Sequence, residues 1–138
     1  MNCIALKPQF ADLVINGKKR VEFRRRFSRT MEGSLAYFYI SSPVKHIMFS
    51  SILSKVHHCD VNYLWKRFCS IGGVSKKDYF TYFKGTNNGY AIQLDNVKTL
   101  SKMLSLDYIR NRYMPSFRPP QSHYNLRQDS PLFRILET

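Results

Sequence analysis

The spacing of apolar positions along this chain switches repeatedly between a strand period and a helix period. Asn2 to Lys7 predicts a first strand. Pro8 follows at a position where its missing N–H costs nothing at a helix start. Phe10, Leu13 and Val14 then recur at helical spacing through Asn16, and Gly17 is placed to end that helix in a left-handed conformation. From Lys19 to Phe27 the alternation returns, with Val21, Phe23 and Phe27 on one face and Arg20, Glu22, Arg24 and Arg26 on the other. Leu35 to Ser41 and Ile47 to His57 predict two further strands. Asp60 is placed to cap a helix running through Tyr63, Leu64 and Phe68. Gly72 and Gly73 break it, and Ser75 starts another helix with Asp78 at the capping-box position, ending before Gly85.

Thr86-Asn87-Asn88-Gly89 signals a turn. Tyr90 to Leu100 follows as a strand with Tyr90, Ile92 and Leu94 alternating. Past Leu104 the pattern loosens. Short helical turns are expected at Asp107 to Arg112 and after Ser130-Pro131, separated by an extended segment from Pro115 to Ser122 pinned by prolines. About five strands with helices inserted irregularly describe a small mixed sheet or partly closed barrel, not a doubly wound parallel sheet. No glycine-rich phosphate loop is present, which argues against a Rossmann unit. The 138 residues fit one domain.

Charge adds what periodicity does not. The chain carries 22 Lys and Arg against 9 Asp and Glu, a net +13. That much self-repulsion opposes a compact fold and exceeds what solubility needs. A polyanionic partner accounts for it: RNA, DNA or an acidic membrane surface. Apolar residues at 43% and aromatic residues at 14% are enough for a core, so disorder is not expected. The three cysteines are oddly numbered and loosely spaced, which does not suggest a disulfide framework. The N-terminal residues lack a signal peptide's apolar stretch and no run reaches membrane-spanning length, so a cytoplasmic protein without membrane association is expected.

The most informative segment is Gly17-Lys18-Lys19-Arg20-Val21-Glu22-Phe23-Arg24-Arg25-Arg26. Seven basic residues fall between Lys18 and Arg29, interleaved with apolar ones. This describes a basic strand face attached to a core, with rigid donors suited to phosphate. Glu22 stands among these cations. A salt bridge to Arg20 or Arg24 is its first expected role; a hydrogen bond to a base edge or proton transfer is the alternative. For Lys19, at the strand entry, ligand binding weighs at least as much as solvation.

These residues resemble the opening of the ASCH domains, members of the PUA-like superfamily of small β-barrels. The resemblance runs through Leu6-Lys7-Pro8, Phe10, Leu13 to Lys19, and Val21-Glu22-Phe23-Arg24. Tyr82-Phe83-Lys84-Gly85 leading to Gly89-Tyr90-Ala91-Ile92 extends it, and Pro119-Pro120-Gln121-Ser122 carries it almost to the end. It implies an α+β fold: a small PUA-like mixed β-barrel with short peripheral helices. It also implies a cleft for RNA or a modified nucleoside, lined by Lys19, Glu22 and Arg24. Relatives include an acetylcytidine amidohydrolase that uses a Lys, a Thr and a Glu. Lys19 matches the Lys, Glu22 stands at the Thr position, and Cys69 to Ser75 offers no acid. A relative with ribonuclease activity suits the charge better.

Other constellations are weaker. His57-His58-Cys59 invites a metal reading, but adjacent strand residues face opposite ways and no zinc-type spacing accompanies them. Cys69 has no activating base in the local sequence and is expected to be buried and inert. Tyr37, Phe38 and Tyr39 place rings on both faces of a strand, for base stacking or for core packing. Trp65 is expected to anchor a helix to the barrel. Arg110, Arg112, Arg118 and Arg127 form a second basic cluster; folded back along the basic strand, it would flank the same groove, with His123 and Tyr124 at its border.

The sequence therefore favours an RNA-binding or nucleotide-ligand-binding module without cofactor or metal. Its binding residues would be Lys18, Lys19, Arg20, Glu22, Arg24, Arg26 and Arg118. The alternative is an RNA-directed hydrolase, a ribonuclease or modified-nucleoside amidohydrolase, with Lys19 and Glu22 as candidate catalytic groups. No helix-turn-helix pattern supports a DNA-binding regulator, and nothing in the sequence specifies an oligomeric state.

Overall fold

The computed structural model describes residues 2–125 and residue 136. Strand β1 (Asn2–Leu6) leads into helix α1 (Pro8–Ile15), whose first position is the proline; Gly17 beyond its end has φ +82°. Strand β2 (Val21–Arg24) is shorter than the alternation predicted, because the chain bends at Arg25 and Arg26. Strands β3 (Leu35–Ile40) and β4 (His46–Asp60) form an antiparallel pair. Helix α2 (Val61–Phe68) is capped by the Asp60 carboxylate, which accepts from the backbone N–H groups of Asn62 and Tyr63 at 2.9 and 3.1 Å. Helix α3 (Lys76–Tyr82) is capped by Ser75, whose Oγ accepts from the Asp78 N–H. Strand β5 (Asn88–Ser105), helix α4 (Leu106–Arg112) and strand β6 (His123–Asn125) complete the order. The helical turn expected after Ser130 lies outside the described residues.

The six strands form one curled half-barrel sheet in the order β2-β5-β4-β3-β1-β6. β1 runs parallel to β3, and β6 returns antiparallel to β1. Register shifts at three places between β4 and β5 supply curvature, since each bulge bends its strand and increases local twist. The curl brings β2 round towards β1, and an Arg24 Nη2 donates to the Ala5 carbonyl across the remaining seam.

Both faces of the sheet are covered. Ala36, Phe38 and Ile40 of β3 face a core with Ile4, Leu6, Val14, Phe49, Leu53 and Ile92. Tyr37 and Tyr39 face the other way, into a second core with Cys3, Ile47, Leu104, Ile109 and Phe117. All three rings of this run are therefore packed in the interior rather than offered for stacking. A third core joins Val21 and Phe23 to Leu64, Phe68, Tyr79 and Phe83 beneath α2 and α3. Trp65 packs on Tyr79 and Phe80, tying α2 to α3, against the core that these helices share with Val21, Phe23 and Ala91 of the sheet. Among the described residues, no helix is long and apolar enough to cross a membrane.

Candidate ligand pocket

With Val21 and Phe23 committed to the third core, the alternation of β2 turns Glu22 and Arg24 to its opposite face. That face is recessed, with Arg24 half-buried. It lies against the seam, where α1, α3 and the Pro120-Gln121 segment enclose a cleft of about 790 Å³ floored by Lys19, Glu22 and Arg24. Lys19 is 2% exposed and Glu22 9%.

Buried charge persists only when paired and hydrogen-bonded, and this trio is connected throughout. Lys19 Nζ lies 3.1 Å from Glu22 Oε1 and donates to the carbonyls of Val21 (2.8 Å) and Gly72 (2.5 Å). An ammonium has three N–H groups, so these partners occupy them all. The Phe10 and Phe23 rings flank it at 5.0 and 5.7 Å. Arg24 grips the other Glu22 oxygen through Nε at 2.9 Å and Nη2 at 2.8 Å. Burial alone would raise the Glu22 carboxyl, but the Arg24 and Lys19 cations outweigh it and hold its pKa below the ordinary carboxylate value. The trio therefore carries one net positive charge. Arg24 Nη1 reaches Ser122 Oγ at 3.4 Å, and its second N–H has no protein partner among the described residues. That N–H gives the floor a free charged donor.

The walls supply further chemistry. Asp78 and Tyr82, one turn apart on α3, line the cleft with Phe10 and Ser41. Tyr82 Oη accepts from the Arg25 N–H, leaving its own proton to donate. At the Ser122 rim, the His123 Nδ1 is 3.3 Å from Ser122 Oγ and its ring packs on Phe27. Desolvation and then the Arg24 charge lower the pKa of His123.

Of the residues singled out in the sequence, Lys19, Glu22 and Arg24 come together in this cleft. Lys18 and Arg20 are exposed and line a neighbouring groove. Arg26 and Arg118 are exposed and line neither concavity. Arg110 is turned to the Phe117 carbonyl, Arg112 lies over the Tyr108 ring, and Arg127 falls outside the described residues. Glu22 pairs with Lys19 and Arg24, not with Arg20. His57 bonds Gln93 and packs on Phe68, while His58 stacks on Tyr90. No three His, Cys, Asp or Glu side chains among the described residues are grouped to hold a metal. Cys69, expected to be buried, is exposed; the buried thiol is Cys3, raised by desolvation to a pKa of about 12. Asp78 is a cleft residue beyond its place in the capping box, and the sequence signal for it is its spacing four before Tyr82, which puts both on one helical face.

A curled mixed sheet with peripheral helices and a recessed, cation-floored cleft defines the class of protein. No protein-family model matches the chain. It is 33% identical over 126 residues to an ASCH domain-containing ribonuclease of Zymomonas mobilis, covering 91% of this chain and 84% of that protein. The crystal structure of ASCH from Zymomonas mobilis superposes with a TM-score of 0.88 at 31% identity, over 99% of this chain and 93% of the other. The N-terminal domain of Staphylothermus marinus McrB shares the fold alone, with a TM-score of 0.56 at 13% identity over 91% and 87% of the two chains. This chain belongs to the ASCH domain family.

Proposed function

We propose that residues 1–138 form one cytoplasmic RNA-binding ASCH domain whose cleft takes a single nucleotide unit. The observation that carries this reading is Arg24, fixed in a cleft by a buried carboxylate yet left, among the described residues, with an unpartnered Nη1 N–H. That donor suits a phosphate or a base carbonyl, because hydrogen bonds from a guanidinium are about twice as strong as neutral ones. Lys19 and Glu22 position it. Lys18, Arg20, Arg26 and Arg118 add an exposed basic field on a chain of net charge +13. A modified nucleoside would meet the same donors.

The experiment is binding of labelled single-stranded RNA by fluorescence anisotropy across a salt series. The logarithm of affinity should fall with that of salt by about 0.7 per phosphate contacted. Arg24→Ala should weaken binding about tenfold or more, the equivalent of one charged hydrogen bond of roughly 1.5–3 kcal/mol. Absence of binding at low salt would end the RNA reading.

A second reading, an RNA-directed hydrolase, is favoured by Asp78 and by the ribonuclease name of the Zymomonas relative. Asp78 adds a carboxylate to a cleft that already holds fixed cations, the combination that proton transfer and charge stabilisation require. RNA recovered from the binding assay distinguishes the two. Cleavage lost in Asp78→Asn, with binding kept, would make the protein an enzyme.

A further inference from the structure

The cleft has a neighbour. A shallow groove of about 710 Å³ runs along the outer side of the same wall, lined by Gly17, Lys18, Arg20, Cys69 and Ser70. Leu13 and the Gly73-Val74-Ser75 segment border both concavities. Gly73, within that shared border, sits at φ +66° directly against the Lys19 stem. Three consecutive cations are divided across this wall. Lys19 enters beneath the cleft, while Lys18 and Arg20 line the groove. Backbone bonds fix both of the latter: the Lys18 N–H to Asn16 Oδ1 at 3.0 Å and the Arg20 N–H to the Ile71 carbonyl at 2.8 Å. Neither side chain has an ion-pair partner among the described residues.

We infer that a single RNA strand leaves the cleft over the Gly73-Val74-Ser75 ridge and lays its phosphodiester backbone in this groove, on Lys18 and Arg20. The inference rests on the RNA reading of the cleft and adds a route and a substrate class. A nucleotide inside a recessed cleft is unpaired, and the groove offers two adjacent cations on one wall, so it takes the neighbouring phosphates of that one strand. A different exit, past Ser122, would lead to His123, Phe27, Tyr90 and His58. Those rings already pack on one another, His58 against Tyr90 at 4.0 Å and His123 against Phe27 at 4.8 Å. They offer bases less open surface than the groove offers phosphates.

Cys69 provides the readout, because it is exposed and lines the groove while Cys3 is buried. The probes are uridine monophosphate and an oligouridine of about 8 nucleotides, within the span of single-strand sites. Iodoacetamide labelling of Cys69, followed by peptide mass spectrometry, should slow severalfold with saturating oligomer and not with monophosphate. In Lys18→Ala/Arg20→Ala, the affinity advantage of oligomer over monophosphate should shrink about 25-fold at 0.1 M relative to 1 M salt, the contribution of two single-strand contacts. If oligomer binds and depends on Arg24, yet Cys69 stays unshielded and the double variant keeps its full advantage, the route is overturned and the RNA reading stands. Loss of the oligomer advantage in His58→Ala instead would send the strand over the rings and also overturn it. Failure of every RNA probe to bind would overturn both.

Discussion

Glu22 is the group whose loss should disturb this molecule most for the smallest change in shape. Glu22→Gln keeps the volume and removes the anion that, among the described residues, pairs both cations, held at 3.1 and 2.8 Å. At an effective dielectric of 20 each attraction is about 5 kcal/mol, offset in large part by the cost of desolvating the ions. What remains after deletion is a buried ammonium and a nearly buried guanidinium facing each other without a counter-charge. Removing one partner of such a pair costs about 3–5 kcal/mol, a large part of the roughly 5–15 kcal/mol that holds a domain together. Lys19→Met should cost less, because Glu22 keeps its two-point contact with Arg24 and a methionine fits between Phe10 and Phe23. In the Lys19→Met background, Glu22→Gln leaves one cation rather than two. The double variant should therefore be more stable than the sum of the single changes by about 1–3 kcal/mol. Urea unfolding followed by the fluorescence of Trp65, the one tryptophan, reads all four proteins. A Glu22→Gln cost below about 1 kcal/mol, or strict additivity with an unchanged denaturant slope, would refute the reading of the trio as a buried network.

Three further outcomes follow from the same geometry. Glu22 has a lower pKa folded than unfolded, so the unfolded chain binds more protons in the acid range. Its stabilisation should be complete above the ordinary carboxylate value and lost as pH falls through the folded one; acid unfolding of Glu22→Gln should lack this component. His123 is lowered first by burial and then by Arg24, so its contribution is present above about 6.5 and declines as pH falls below it. In Arg24→Ala the imidazole resonances should titrate at higher pH than in wild type, and an unchanged NMR titration would contradict the proximity. Gly73→Ala should cost more than Gly17→Ala in thermal unfolding. Both have positive φ, worth about 1–2 kcal/mol, but only at Gly73 would the new Cβ meet Lys19, at 2.9 Å; equal costs would dispute that contact.

Features with a local cause were legible in the sequence. Pro8, Gly17, Asp60 and Ser75 mark element boundaries by chemistry confined to a few neighbouring residues, and each boundary lies where that chemistry puts it. The extension of β5 to Ser105 was not legible. Lys98, Thr99, Ser101, Lys102 and Met103 are exposed and Leu104 is the one fully buried side chain of the extension, so the apolar alternation there is too sparse to read, and the strand is held by pairing with β4 and by Leu104 in the second core. β6 was missed because its three residues become a strand only by pairing with β1, more than a hundred residues earlier. The ASCH resemblance brought Lys19, Glu22 and Arg24 to a cleft, but not their inward burial. The Gly72 carbonyl, Phe10 and Phe23 enclose Lys19 from separate elements, and no pattern within β2 encodes that meeting. The exposure of Cys69 was hidden for the same reason, since the apolar period of α2 ends at Phe68 and the next residue turns outward.

The seam closed by Arg24 has a bearing on the order in which the newly made protein becomes competent. Its partners are Ala5, Glu22 and Ser122, and the contact to Ser122 joins residues 98 positions apart. Contacts of such long range form late, since the entropy of closing the intervening chain must be met before they contribute. A ribosome that has delivered every strand up to β5 has therefore not delivered the rim formed by Pro120 and Gln121. The emerging chain carries its full basic segment long before it has a finished cleft, and its earliest encounters with any polyanion are governed by charge alone. Selectivity arrives with the last part of the described chain.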